Sequence, residues 1–134
     1  MIWFLRILFT AVIGSMLWVT SWAGGQCALF AIPREVFGHP WFIATMFDAY
    51  WGFITFFVWV AWKERAMAAR ALWLVAILLL GNIAMASYVL RELFRVDARV
   101  GVDPVITRRN AGQLALPAGL VALAAAIYLH AWLA

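Results

Sequence analysis

The chain has 134 residues, of which 68% are hydrophobic and only 12% are charged. A water-soluble domain of this composition would lack the polar side chains needed to cover its surface, so the sequence indicates an integral membrane protein. The net charge of +4 is accompanied by no nucleic-acid-binding motif, so we attribute it to contact with anionic membrane lipids and exclude nucleic acid as a partner.

Four apolar stretches approach or exceed the length that an α-helix needs to cross about 30 Å of hydrocarbon. They run from Ile7 to Ala23, Trp41 to Trp62, Ala71 to Leu90 and Leu114 to Leu133. Lipid cannot satisfy peptide groups and the stretches do not alternate in polarity, so each is predicted to be a helix rather than a barrel strand. The predicted fold class is therefore all-α, with residues 1–134 forming one domain of four transmembrane helices.

The first stretch has a competing interpretation as a secretory signal. Arg6 precedes its apolar run, and Ser21-Trp22-Ala23 ends the run with small residues where cleavage would occur. We favour a retained first helix. The chain is also rich in tryptophan, and most of these residues fall near predicted helix ends, as in the aromatic belts of membrane proteins.

Residues 24–40 connect the first two stretches and are too apolar for a solvated loop, because they contain Ala28-Leu-Phe-Ala-Ile32. We predict that this segment lies in the membrane interface. Pro33 is expected to open a short helical turn that Gly38 closes, and Pro40 is expected to begin the second spanning helix, since proline is best tolerated in a first turn.

The other two connections carry most of the charge. Residues 63–70 form a tight basic turn, which predicts an antiparallel hairpin of the second and third helices. Residues 91–113 are long and arginine-rich, and they hold half of the basic residues. A plain count of basic residues opposes an internal amino terminus, but the first helix usually dominates insertion and Arg6 precedes it. We predict an inner-membrane protein of a bacterium with both termini cytoplasmic.

One carboxylate, Asp48, interrupts an aromatic and aliphatic run at membrane depth. Ionisable groups at such depth are costly and are functional candidates by default. Thr45, Asp48, Gly52 and Thr55 recur at helical spacing, so this polar stripe is expected to face protein. In the predicted hairpin, Asn82 returns to a similar depth and becomes the expected hydrogen-bonding partner of Asp48.

Further charged groups are expected at the same end of the hairpin, including His39, Arg91 and Glu92. Asp48, Asn82, His39 and Arg91 are thus the candidates for a catalytic, proton-carrying or ligand-binding site. The alternative, which we favour, is an interhelical hydrogen bond that only fixes packing. Such bonds contribute under about 1 kcal/mol in membranes, so burial alone does not distinguish the two.

Other signals for chemistry are weak. Cys27 is the single cysteine, so no internal disulfide can form, and no metal-ligand spacing joins the two histidines to carboxylates. Ala126 precedes His130 by four residues, which is similar to the pattern by which antenna helices ligate bacteriochlorophyll. A tetrapyrrole at His130 is therefore an option, although we interpret His130 as an interfacial residue and expect no cofactor and no metal.

Two segments carry a resemblance to a known family. They are FAIPREVFGHPWFIATMFDAYWGFITFFVWVAWKE, from Phe30 to Glu64, and LLLGNIAMASYVL, from Leu78 to Leu90. They resemble the core of domain of unknown function 1475, a family of small multi-pass membrane proteins. The resemblance covers roughly the first two thirds of the chain and is expected to stop near Val96. It implies a membrane-embedded fold and no activity.

Two classes of function remain open from the sequence. The first is an accessory subunit or assembly factor of a larger membrane complex, with a protein partner or a homo-oligomer as its assembly. The second is a membrane enzyme or carrier for an apolar, lipid-like substrate with a site around Asp48 and Asn82. The absence of a catalytic motif favours the first class and a protein that is not an enzyme.

Overall fold

The computed structural model describes all 134 residues, and its regular structure is entirely helical. This confirms the all-α prediction. The helices are α1 (Ile2–Gln26), α2 (Arg34–Phe37), α3 (Pro40–Lys63), α4 (Met67–Leu80), α5 (Asn82–Phe94), α6 (Asp103–Thr107) and α7 (Ala115–Leu133), with a 3-10 turn at Leu29–Ala31.

Three helices, α1, α3 and α7, are long and apolar enough to cross a membrane. The predicted helix starts and the helix end at Gly38 in the first connection are also confirmed, whereas its location in the membrane interface stays a prediction. Pro33 precedes the single helical turn of α2 and Gly38 ends it, while Pro40 is the first residue of α3. Both prolines lie where a missing backbone N–H costs least.

The predicted third crossing is not one helix, because the stretch from Ala71 to Leu90 is divided at Gly81. This residue has φ 53° and ψ −123°, a backbone conformation that residues with a Cβ rarely adopt. A Cβ at this position would also lie 2.7 Å from the Phe53 ring. The prediction of four crossing helices is therefore not confirmed.

At Gly81 the chain reverses, and α5 returns along α4. The rings of Trp73 and Tyr88 lie 4.8 Å apart, whereas one straight helix would separate residues this far along the chain by about 22 Å. The sequence pattern misses this reversal because α4 and α5 are both apolar, and a single glycine in an apolar run does not by itself predict a turn.

As a result, most of the positive charge gathers at one end of the molecule. Arg6 of α1 donates to the carbonyls of Leu93 and Val96 at 2.9 and 3.0 Å, and Lys63 at the end of α3 donates to the carbonyl of Val105. We call this end the basic end, because it holds nine of the ten lysine and arginine residues: Arg6, Lys63, Arg65, Arg70, Arg91, Arg95, Arg99, Arg108 and Arg109.

The carboxyl terminus lies at the opposite end. Trp132 near the end of α7 packs against Phe30 with ring centroids 5.7 Å apart, and the Tyr128 hydroxyl donates to the Leu79 carbonyl at 2.9 Å. Four crossings would place both termini at the same end of the molecule. The structure places them at opposite ends, because α4 and α5 together return to the end from which α4 starts.

The apolar core lies among α3, α4 and α5 and is small. Its buried members are Val60, Trp73, Ala76, Ile77, Ala84 and Tyr88. A second cluster, Ile2, Leu93, Val96 and Val105, joins the start of α1 to the end of α5. Outside these contacts α1 and α3 are largely exposed, and Ile2 is the only buried residue of α1.

Candidate functional site

A group of buried charged and polar side chains lies beside the core at the basic end. We call it the ionic cluster, and its members are Lys63, Glu64, Tyr88, Arg91, Glu92, Arg95 and Asn110. Lys63, Glu64 and Glu92 are completely buried. Four members of the ionic cluster belong to α5 and its C-cap: Tyr88, Arg91, Glu92 and Arg95. They recur at intervals of three and four residues, so they share one face of the helix. The other members come from the end of α3 and from the connection before α7.

Glu92 is surrounded by cations. Its Oε2 lies 2.9 Å from Lys63 Nζ, and its Oε1 lies 3.0 Å from Arg91 Nη2 and 3.4 Å from Arg95 Nη1. Burial by itself raises the pKa of Glu92, but the hydrogen bond and charge of Lys63, together with the charge of Arg91, outweigh it and lower the pKa below its ordinary value. Glu92 is therefore a carboxylate at neutral pH.

Glu64 is the second anion of the ionic cluster. Its Oε1 accepts hydrogen bonds from the Tyr88 hydroxyl at 3.0 Å and from Asn110 Nδ2 at 2.8 Å, and it also pairs with Arg91. The Arg91 guanidinium lies over the rings of Tyr88 and Trp73, 4.6 and 5.2 Å from their centroids. Stacking and ion pairing together fix the position of this arginine.

Asn110 attaches the last connection to this site through backbone and side chain. Its N–H donates to the Lys63 carbonyl at 2.8 Å, and its carbonyl accepts from the Arg65 N–H at 3.0 Å. Its side-chain amide donates to Glu64 at 2.8 Å and Glu92 at 3.1 Å and accepts from Arg95 at 3.2 Å. One asparagine thus holds the connection before α7 against the end of α3.

The four residues proposed from the sequence do not meet. Asp48 and Asn82 are both exposed and share no hydrogen bond. His39 caps α3 by accepting from the Trp41 N–H at 3.3 Å. Arg91 lies at the basic end, whereas His39 precedes α3 at the other end. The expected convergence of His39 and Arg91 is wrong, because it assumed that α5 continues α4 to the far end.

Asp48 faces away from its expected partner for a simple geometric reason. At about 100° per residue, Asp48 lies about 140° around α3 from Phe53. Phe53 packs on the core among α3, α4 and α5 and lies beside Gly81. The side of α3 that carries Asp48 is therefore directed away from α4 and from Asn82.

His130 lies exposed in the last turn of α7. Its suggested role in binding a tetrapyrrole, like the interpretation that it binds none, stays a prediction. No group of three His, Cys, Asp or Glu side chains is placed to hold a metal ion. Cys27 is a free, exposed thiol.

Sequence reasoning missed Lys63, Glu64, Tyr88, Arg95 and Asn110 as members of a site. One signal was present, since Tyr88, Arg91, Glu92 and Arg95 have the spacing of a single helical face. Nothing in the sequence indicated that residues 64 and 110 would meet this face. Chemically, the ionic cluster places its two carboxyl groups against lysine and arginine side chains, and it contains no Ser, Cys or His side chain.

A family model described as a protein of unknown function, DUF1475, matches residues 2–111. The chain belongs to this family. The match extends beyond Val96, where the resemblance was expected to stop, and it includes every member of the ionic cluster but not α7. Neither the curated proteins nor the solved structures contain a match to this chain.

Proposed function

We propose that this member of the DUF1475 family is an accessory subunit or assembly factor of a larger membrane complex. One observation carries the proposal. The polar stripe of α3, formed by Thr45, Asp48, Gly52 and Thr55, is exposed along its whole length in the single chain. A stripe of this kind at membrane depth is expected to face protein rather than lipid.

Asp48 is the residue of this stripe whose exposure to lipid would cost the most free energy. It lies about 12 Å along the helix axis from Pro40, the first residue of α3. A carboxylate at that depth is costly against lipid, and the cost falls when another helix or a water-filled cavity covers it. Gly52 lies one turn further along the same face, and nothing lies within 4 Å of the position that a Cβ would take there, which permits close approach of a partner backbone.

We propose that a helix of another membrane protein covers the polar stripe. A second copy of this chain is the alternative occupant. The amount of exposed helix supports an assembly of either kind, because α1 contributes one buried residue and α3 contributes two. An enzyme or carrier with a site at Asp48 and Asn82 ranks lower, since these two side chains are both exposed and share no hydrogen bond.

An orientation accompanies this proposal. Basic residues near membrane-spanning helices favour the cytoplasmic side, and nine of ten belong to the basic end. We therefore place the basic end and the amino terminus in the cytoplasm and the carboxyl terminus outside. A topology of four crossings divides the basic residues between the two sides of the membrane. A topology of three crossings places nine of the ten on the same side, as the preference of basic residues for the cytoplasm predicts.

The test is photo-crosslinking in intact cells with a benzoylphenylalanine at position 52, on the polar stripe. A matched probe at Val58 lies about 120° away on the same helix and is also exposed. We expect the probe at position 52 to give one discrete adduct with a protein, or a dimer of the chain, and the probe at position 58 to react with lipid.

The same adduct should weaken when Asp48→Leu is combined with the probe at position 52, while the abundance of the protein stays unchanged. Purification in mild detergent should then recover the cross-linked partner in a fixed ratio to the chain. Lipid adducts alone at both positions, or a specific small molecule in place of a protein, would contradict the proposal.

A further inference from the structure

A groove at the basic end lies beside the ionic cluster. Its volume is about 660 Å³, which is within the range of roughly 300–1,000 Å³ found for small-molecule sites. One wall comes from the end of α5 and the other from the start of α7. The lining residues are Arg91, Phe94, Arg95, Gln113, Leu114, Ala115 and Leu116.

The polar part of the groove has an excess of positive charge. The ionic cluster contains three basic side chains, Lys63, Arg91 and Arg95, and two acidic ones, Glu64 and Glu92. Neither glutamate lines the groove. The side chain of Arg91 is 9% exposed, and its Nη1 is buried without a hydrogen-bond partner. The ionic cluster therefore keeps one net positive charge, and a nitrogen of one groove-lining arginine has no hydrogen-bond partner.

Arg95 is the accessible cation of the groove. Its side chain is 26% exposed, and it donates to the side chain of Gln113 on the opposite wall. Arginine offers several donors in a fixed plane and pairs well with phosphate oxygens. Exchanging the neutral amide of Gln113 for an anion would strengthen the hydrogen bonds of Arg95, since charge-assisted bonds are about twice as strong as neutral ones.

The remaining walls are apolar and lie where a membrane-spanning helix begins. Phe94, Leu114 and Leu116 are exposed beside the arginines, and Leu114 immediately precedes α7, one of the three helices long enough to cross the membrane. A ligand in this position would have its charged group near Arg91 and Arg95 and an apolar portion along the start of α7.

We propose that this groove binds the phosphate group of an anionic phospholipid, with Arg95 as the principal contact and the acyl chains along Phe94, Leu114 and Leu116. The site goes beyond the proposed interaction function and is independent of the polar stripe on α3. A soluble phosphate would offer the same oxyanion to Arg95, but it would leave the apolar walls unused.

The experiment uses the full chain purified in dodecyl maltoside and native mass spectrometry with dioleoylphosphatidylglycerol. Arg95→Gln should raise the apparent Kd about fivefold, as expected for one basic residue at a lipid surface. Arg99→Gln is the control, because Arg99 is an exposed arginine of the same connection whose side chain makes no contact with the groove. It should leave the apparent Kd unchanged.

A second pair of variants leaves the ionic cluster intact. Ala115→Trp fills the groove and should reduce lipid binding at least as much as Arg95→Gln, whereas Ala126→Trp on the exposed surface of α7 should not. Equal apparent Kd values for all four variants, or an equal loss in Arg95→Gln and Arg99→Gln, would overturn the site in favour of diffuse charge attraction.

Inorganic phosphate and dioleoylphosphatidylcholine separate the sources of the anion. The proposal predicts that neither raises the thermal unfolding midpoint as dioleoylphosphatidylglycerol does. If inorganic phosphate alone stabilises the wild-type chain and Arg95→Gln abolishes this effect, a soluble phosphate is the ligand and the lipid assignment is overturned. These readouts require no protein partner, so failure here is distinguishable from failure of the crosslinking test.

Discussion

Lys63 at the end of α3 and Glu92 on α5 form an ion pair in which both side chains are fully buried, with 2.9 Å between Nζ and Oε2. The pair joins two helices that are neighbours only because the chain reverses at Gly81. Its strength depends on the further hydrogen bonds around it, since taking two charges out of water is costly.

Replacing both partners of this pair is expected to be less harmful than the two single replacements added together. Lys63→Met should lower the free energy of unfolding by about 3–5 kcal/mol, because it leaves Glu92 buried with one fewer cation. The double variant Lys63→Met with Glu92→Leu should lose less than the sum of the single variants, as measured by unfolding in detergent. Arg65→Met, at an exposed neighbour, is the control, and simple additivity would contradict the coupling.

The lowered pKa of Glu92 predicts how stability depends on pH. Its carboxylate is more favoured in the folded chain than in the unfolded chain, so its contribution is fully present above the ordinary pKa of 4.5. This contribution is lost as the pH falls through the lower pKa of the folded state. The difference in unfolding midpoint between wild type and Glu92→Gln should therefore shrink as the pH is lowered below 4.5. A difference that grows in acid would contradict the assigned direction.

Gly81→Ala tests the reversal between α4 and α5. A Cβ would be strained by the positive φ and would meet the Phe53 ring, so we expect a loss of about 1–3 kcal/mol in the free energy of unfolding. Gly14→Ala is a matched control, because nothing lies within 4 Å of its added Cβ and alanine favours a helix. Equal tolerance of both substitutions would argue for a continuous helix through position 81.

Asp48 and Asn82 are expected to behave independently. Because the two side chains share no hydrogen bond, the effects of Asp48→Leu and Asn82→Leu on thermal stability in detergent should add within about 0.3–0.5 kcal/mol. Partial recovery of thermal stability in the double variant would instead support the Asp48–Asn82 hydrogen bond that the sequence suggested. Asp48→Asn should keep the chain stable in either case, since an amide retains acceptors and donors.

Topology can be tested at the two ends of the molecule. Cys27 is exposed at the end opposite the basic end, so an impermeant thiol reagent should label it from outside intact cells. The proposed topology of three crossings places the carboxyl terminus outside, so a carboxyl-terminal alkaline phosphatase fusion should be active. Four crossings predict the same Cys27 labelling but an inactive fusion, so the fusion decides between the two topologies.

The sequence by itself determined the class of protein and much of the local structure. Apolar composition indicates a lipid environment, and long uninterrupted apolar runs give α1, α3 and α7, since a helix satisfies its own peptide groups. Proline restricts its own φ and lacks an N–H, so the positions of Pro33 and Pro40 fixed the starts of α2 and α3. These properties depend on residues close together in the chain.

Tertiary structure alone decided the reversal, the termini and the ionic cluster. The direction of the chain at Gly81 depends on a backbone conformation that glycine can adopt but does not have to adopt. Glu64, Tyr88 and Asn110 meet only because α5 returns along α4 and the last connection pairs with the end of α3. Contacts between residues so distant in sequence arise from packing, so neither periodicity nor spacing could have placed these side chains around one another.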